Sequence, residues 1–575
     1  MFPRLIRILP IAAVFAALFA CTQDADEVAP GLLQHVPADT PYAFVTSKLL
    51  PGDLRDRLGK HYALQLASQR AAFARVRQQL EETEGAGPMA DKGRQLFAVL
   101  DALFAELEGR DSVAALRELG IEPVTRSVFY GIGVLPALRV EIADASKLNA
   151  LLDRVEQRAG VSALRAELAG QAYRRIDLGE VDMVLAVTDR HLVGGLLADP
   201  LFDRDLPLLL GQSMPDRSLA EAGDIKTLIE RYAFTGYGEG FVKLDKLVAT
   251  LLGEGSARNR EVIQALGAMQ APVSDGCMQL TRQIVAGMPR MVMGVKSADR
   301  HQMVARGIWE SSPPVAAYLQ KLAAPVPGVG AAHNGLLAFG VGLDLPQLRN
   351  AIEALLRFVS ANGATCEWVD PDTLQAVMPQ LNLALGPMTA GIKGFNLQID
   401  DIVIDPQTLE PTDVRAGLLA AVDDPRGIFA LGAMFNPALA AIEIPSDGSF
   451  VELPGELGLE QGTPPLKVAV RERALLLLAG GASADLAAKL VNAVAVTPSP
   501  LFAVDYGVHQ LVERFGEVME RAVTDLGVQG EEEMAAELRD QLTSFRLQAQ
   551  VFDRLRISVH ASADGMVMDQ VMELR

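Results

Sequence analysis

Residues 137–144 read ALRVEIAD, with apolar Leu138, Val140 and Ile142 set apart by polar positions. A period of two predicts a strand with one face buried. The period then changes. In ADASKLNALLDRVEQRAG, residues 143–160, Leu148, Leu151, Leu152 and Val155 recur at helical spacing, with Asp144 and Ser146 as caps at the start and Gly160 as a stop. The same succession, a strand running into an amphipathic helix, recurs at 43–58, 238–252, 336–357 and 501–519. In QLFAVLDALFAEL, Leu96, Val99, Leu100, Leu103 and Leu107 share one helical stripe, and an upstream helix is expected over about 62–83. Leu555, Ile557 and Val559 alternate toward Asp564-Gly565, and a second run, MVMDQVMEL, follows. Asp-Gly between two such runs predicts a hairpin. The whole predicts an α+β fold, a largely antiparallel sheet with helices packed on one face.

Two parts of the chain repeat this plan. AFVTSKLLPGDLR (43–55) parallels AFGVGLDLPQLR (338–349), and RMVMGVKSAD (290–299) parallels RLRISVHASAD (554–564), each with one insertion. Between them TDRHLVGG is followed by GFVKLDKLV in one part, and RERALLLLAGG by LFAVDYGVHQLV in the other. Matches in a consistent order predict an internal duplication. The two similar halves would be 32–311 and 334–575, joined by a linker at 312–333 where Pro, Gly and Ala dominate. The segment 444–464, rich in Gly and Pro, reads as a surface excursion. A length of 575 residues agrees with more than one domain.

The first residues follow another logic. Arg4 and Arg7 precede thirteen residues, Ile8 to Ala20, that are apolar apart from Pro10. A membrane-spanning helix needs about 20 apolar residues, so the run has the proportions of a secretory signal, residues 1–20. It ends in Leu18-Phe19-Ala20-Cys21, which resembles the lipobox of bacterial lipoprotein signal peptides, with Phe19 where a smaller residue is usual. The resemblance implies that Cys21 receives a diacylglyceryl group, that the chain is cut before it, and that the new amino terminus is acylated. Several acyl chains hold a membrane stably where one does not. Thr22 stands where an aspartate would retain such a protein at the inner membrane, which implies an outer-membrane, periplasm-facing location, with 21–31 as a tether.

Charge and cysteines sharpen this picture. Loss of Arg4 and Arg7 with the leader would take the formal net charge from −20 to −22. Such a body has no electrostatic attraction to nucleic acid or anionic lipid, so the lipid would be its membrane contact. The two remaining cysteines, Cys277 and Cys366, are a candidate disulfide in an oxidising compartment, the alternative being two buried thiols. A bridge over that separation stabilises by roughly 4–5 kcal/mol on the chain-entropy argument.

The familiar catalytic spacings are absent: GxSxG, SxxK, HExxH, GxxxxGK[ST] and GxGxxG do not occur, so no catalytic, cofactor-binding or metal-binding residue is assigned. None of His35, His61, His191, His301, His333, His509 and His560 lies three or four residues from another, which leaves no local metal pair. His191 reads as a strand edge beside a charged turn. Asp400, Asp401 and Asp405 form the densest carboxylate group. Paired carboxylates can do acid–base work, yet in a strand Asp400 and Asp401 would face opposite sides, as solvated strand-end charges do. Met288, Met291, Met293 and Met303 cluster in one half, and Met566, Met568 and Met572 in the other. They read as core filling, or as the lining of an apolar groove.

The opening GLLQHVPADTPYAFVTS and the stretch GIEPVTRSVFYGIGVLPALRVEI resemble a group of uncharacterised proteobacterial envelope lipoproteins. The resemblance implies the location and carries no catalytic residue. Three functions follow from these readings: a non-enzymatic, lipid-anchored interaction or scaffold protein with a protein partner in the envelope; a carrier of an apolar ligand such as lipid; and a hydrolase with catalytic residues dispersed along the chain.

Overall fold

The structure, a computed structural model, describes residues 30–52, 54–59, 61, 88–110, 112–266, 274–362, 366, 376, 379, 385–386, 389–405, 408, 411–453, 465–481 and 484–575. The leader, Cys21, Thr22, most of the tether, the expected helix at 62–83 and residues 454–464 of the excursion lie outside them. Helices and antiparallel strands alternate, so the fold is α+β.

The chain forms two compact units, and their border differs from the expected one. One unit takes residues to Val273 together with Pro289–Ala305, and the other takes Ser274–Met288 together with Arg306–Arg575. The stretch expected as a linker belongs to the second unit. Its Pro313–Leu322 is helical, and Val326 and Val329, 3% and 1% exposed, join a core with Leu419, Leu476 and Leu490. Its prolines and glycines shape a buried strap instead of a solvated tether. Proline suits the first turn of a helix, and Pro313 stands there, right after the N-cap Ser312.

In the first unit the strands are β1 (Tyr42–Thr46), β2 (Ser127–Ile132), β3 (Leu135–Glu141), β4 (Leu164–Leu168), β5 (Gln171–Asp177), β6 (Val181–Val187), β7 (His191–Ala198), β8 (Glu239–Lys243) and β9 (Arg290–Ala298), followed by β10 (Gln302–Glu310), whose residues from Arg306 belong to the second unit. They pair in the order β4-β5-β6-β7-β3-β2-β1-β8-β9-β10. Ala43 stands opposite Tyr130 on one side and Phe241 on the other, and Phe241 opposite Val292. All four are buried, while Phe44 and Phe129 of the alternate phase are half-buried and Met293 is exposed.

The helix Ala145–Ala159 follows the sequence pattern closely. The Asp144 carboxylate accepts from the Ser146 and Lys147 N–H groups, and Gly160 ends the helix at φ 65°, a left-handed position that costs glycine nothing. Leu148, Leu151 and Val155 are buried against Val99, Leu103 and Leu107. One stripe therefore meets another.

In the second unit the strands are β11 (Leu337–Gly342), β12 (Ile392–Ile404), β13 (Pro411–Val422), β14 (Val451–Glu452), β15 (Leu466–Arg471), β16 (Ala474–Gly480), β17 (Pro500–Gly507), β18 (Phe552–Ser562) and β19 (Gly565–Leu574). They pair in the order β14-β15-β16-β13-β12-β11-β17-β18-β19. Ala338 stands opposite Gln398 and Asp505, and Asp505 opposite Arg556. The hairpin expected at Asp564-Gly565 forms, with Ser562 opposite Gly565. A helical hairpin, Val508–Val528 and Glu532–Ala549, separates β17 from β18. Cys277, on the helix Asp275–Gly287, is joined by a disulfide to Cys366, with the Cα atoms 4.4 Å apart and a sequence separation of 89.

Candidate functional site

The densest group of buried ionisable side chains lies in the second unit, on β12, β17 and β18 and the helix that follows β17. Asp505 is 3% exposed and central to it. Its carboxylate accepts from Arg554 Nη1 at 2.7 Å, from Arg556 Nε at 2.9 Å and from the backbone N–H of His333 at 3.0 Å. Arg554, 6% exposed, also donates through Nη2 to the Gly335 carbonyl at 2.6 Å and to Gln510 Oε1 at 3.2 Å. Gln510 stands in the first turn of the helix Val508–Val528, so one ion pair ties that helix to β17, β18 and the segment entering β11.

The three aspartates of the sequence motif part company here. The pairing of β12 with β13 skips between Ile399 and Asp401, so Asp400 is the extra residue of a bulge and strict alternation of faces lapses. Asp401, 7% exposed, accepts from Arg415 and, through both oxygens, from Arg514 at 2.8 and 2.9 Å. Asp400 Oδ1 instead lies 3.7 Å from His333 Nε2 and has no hydrogen-bond partner among the described residues. Asp405 accepts from the Thr408 N–H in a turn. No shared acid–base pair results.

His333 is 4% exposed. Its Nε2–H donates to the Ile399 carbonyl at 3.3 Å. Burial, ahead of the opposing pull of the Ile399 carbonyl and Asp400, lowers its pKa, so the ring is held neutral. Gly335 makes the contact possible: a Cβ there would sit 2.5 Å from His333 Nε2 and 2.9 Å from Asp400 Oδ1. A neutral histidine beside a carboxylate is half of a nucleophile-activating set. However, Asp401, Asp505 and the four arginines are spent on one another.

The other histidines lie apart. His509 is paired with Glu513, His560 lies 3.9 Å from Asp569, His301 accepts from Arg300, and His191 begins β7 after the Thr188 turn. Among the described residues no three His, Cys, Asp or Glu side chains are grouped to hold a metal. The methionines lie on sheet strands and at one helix end: Met291 and Met293 on β9, Met303 on β10, Met566, Met568 and Met572 on β19, and Met288 at the end of a helix. A cleft in the first unit, lined by Leu164, Arg175, Asp177, Gly179 and Asp199, is polar, and Arg175 there pairs with both Asp182 and Asp199. No helix among the described residues is long and apolar enough to cross a membrane.

Buried charges of the first unit, like Asp505 and Arg554 of the second, escaped the sequence reading. Arg139 falls on the polar phase of ALRVEIAD, yet β3 is buried on both faces and Arg139 is 4% exposed. Glu239 is 1% exposed, and its carboxyl accepts from the Gly236 and Gly238 N–H groups while burial pushes its pKa up to about 7. The signal in each case is slight, one charge inside an otherwise apolar or glycine-rich strand. Compared with family models, curated proteins and solved structures, the chain matches none.

Proposed function

We propose that this chain is a non-enzymatic envelope protein, held at the outer membrane by lipid on Cys21, whose two related α+β units present interaction surfaces to a protein partner. The observation that carries the non-enzymatic part is the state of the densest charged cluster. Asp401 and Asp505 each accept from two arginines, so both carboxylates are buried and engaged by the sheet's own cations.

The strand orders support the relatedness of the units. Reading β1 as β11, β2 as β12, β3 as β13, β8 as β17, β9 as β18 and β10 as β19 keeps every neighbour relation, and β5, β6 and β7 answer to β14, β15 and β16. Register supports it further. From Ala43 through Phe241 the ladder reaches Val292, two residues after Arg290. From Ala338 through Asp505 it reaches Arg556, two residues after Arg554. Arg290 and Arg554 open the second pair of matched sequences, so both matches occupy the same places in their sheets.

The test is fractionation of cells expressing the full chain, with mass analysis of its amino-terminal peptide. A triacylated Cys21 in the outer-membrane fraction and release of Cys21→Ala to the periplasm are expected. Unmodified Cys21 on a periplasmic protein overturns the anchor. Native mass spectrometry tests the role: a reproducible adduct of lipid mass would replace the scaffold reading by the carrier reading, and an apo mass with a crosslinked envelope partner supports the scaffold.

A further inference from the structure

The first unit holds a buried cation that meets no carboxylate among the described residues. Arg139 Nη2 donates to the Leu209 carbonyl at 3.2 Å, but among the described residues no carboxylate pairs with the guanidinium and Nε has no partner. Two further buried polar atoms, the Tyr130 hydroxyl and His35 Nδ1, have no partner either. Tyr130 is wholly buried, and His35 and His191 are half-buried.

These groups are neighbours. Arg139 stands opposite Val128 and Val193, and Tyr130 and His191 lie two residues along from those, so all three share a sheet face. A Cβ on Gly211 would lie 3.0 Å from Arg139 Nη2 and 3.0 Å from His35 Nδ1. Both side chains therefore abut the Gly211 backbone from the same side. Glu141, the nearest acid along β3, is engaged by Arg126.

The inventory leans toward donors. A guanidinium offers donors alone, a phenol offers an O–H beside its acceptor oxygen, and a neutral imidazole offers one ring N–H beside one acceptor nitrogen. Burial and then the Arg139 charge push His35 down to about 4, so it adds a donor without a second positive charge. His191 is lowered by the same two causes. With Glu141 taken by Arg126, Arg139 has no negatively charged acceptor of its own among the described residues, and a desolvated cation without one is costly. We propose that Arg139, Tyr130 and His35 bind one small monovalent anion, either a free halide or the carboxylate group of a small acid.

The experiment is ³⁵Cl line broadening by the full chain, with acetate as competitor and with acetate-dependent thermal shifts. Saturable broadening is expected, at least tenfold weaker in Arg139→Met and several-fold weaker in Tyr130→Phe. Displacement by acetate at lower concentration assigns the site to a carboxylate, and resistance to acetate assigns it to halide. Absence of both saturable broadening and an acetate-dependent shift in the wild-type chain overturns the proposal and leaves water as the partner of these groups. Equal broadening in wild type and Tyr130→Phe also overturns it, which keeps the test decisive if Arg139→Met fails to fold.

Discussion

The strand beside β1 and the strand beside β11 each carry a buried acid, and the two acids are treated differently. Asp505 on β17 has two arginines and a backbone N–H on its carboxylate. Glu239 on β8 has only backbone N–H donors in contact, with Lys48 acting from farther off. Among the described residues, the first unit thus leaves both an acid and a base, Glu239 and Arg139, buried without a salt-bridge partner. Desolvation penalises a charge in either place, and only a close opposite charge offsets it. A paired charge locks elements together, whereas an unpaired one couples the fold to protons or to a bound ion.

The largest effect is expected where a pair is broken. Asp505→Ala strands Arg554 and Arg556, and such a loss costs about 3–5 kcal/mol, to be read from urea unfolding. A change below 1 kcal/mol would dissolve the contrast between the units.

Next comes Glu239. Its pKa rises from 4.5 in the unfolded chain to about 7 in the folded one. The folded state therefore binds more protons between those values, and stability falls as pH rises through that window. The loss is roughly 3 kcal/mol, complete above pH 7, and absent in Glu239→Gln, whose unfolding free energy should run flatter over the same range. A wild-type curve with no fall between pH 5 and 7 would show Glu239 to be compensated after all.

Smaller effects test local geometry. Gly335→Ala forces a Cβ against His333 and Asp400 and should cost about 1–3 kcal/mol by thermal unfolding. In the first unit, Asp144→Ala removes a helix cap and should lower the thermal midpoint slightly, with unfolding cooperativity unchanged.

Much of the fold was legible because it follows local periods. The helix Ala145–Ala159, its caps, the C-terminal hairpin and the strand-to-helix successions appear where the patterns put them. The linker was misread for a physical reason: Pro and Gly mark chain direction, and the same residues serve an exposed tether or a buried strap. Val326 and Val329 were the contrary sign, two valines with a core to join. The candidate site was half legible. Asp400 and Asp401 stood out as a pair, but their separation depends on a bulge and on arginines that arrive from position 415 and position 514.

Sequence alone determined the elements, the two matched series of motifs and the pool of charges, because these depend on neighbours three or four residues away. Tertiary structure decided which charges lose water and which meet an opposite charge there. Arg139 and Arg554 are alike as residues on a strand. One ends beside a tyrosine and histidines and the other on Asp505, because the partners come from strands and loops tens to hundreds of residues away. Desolvation and Coulomb attraction act through space at a few ångströms, and no local period records that distance.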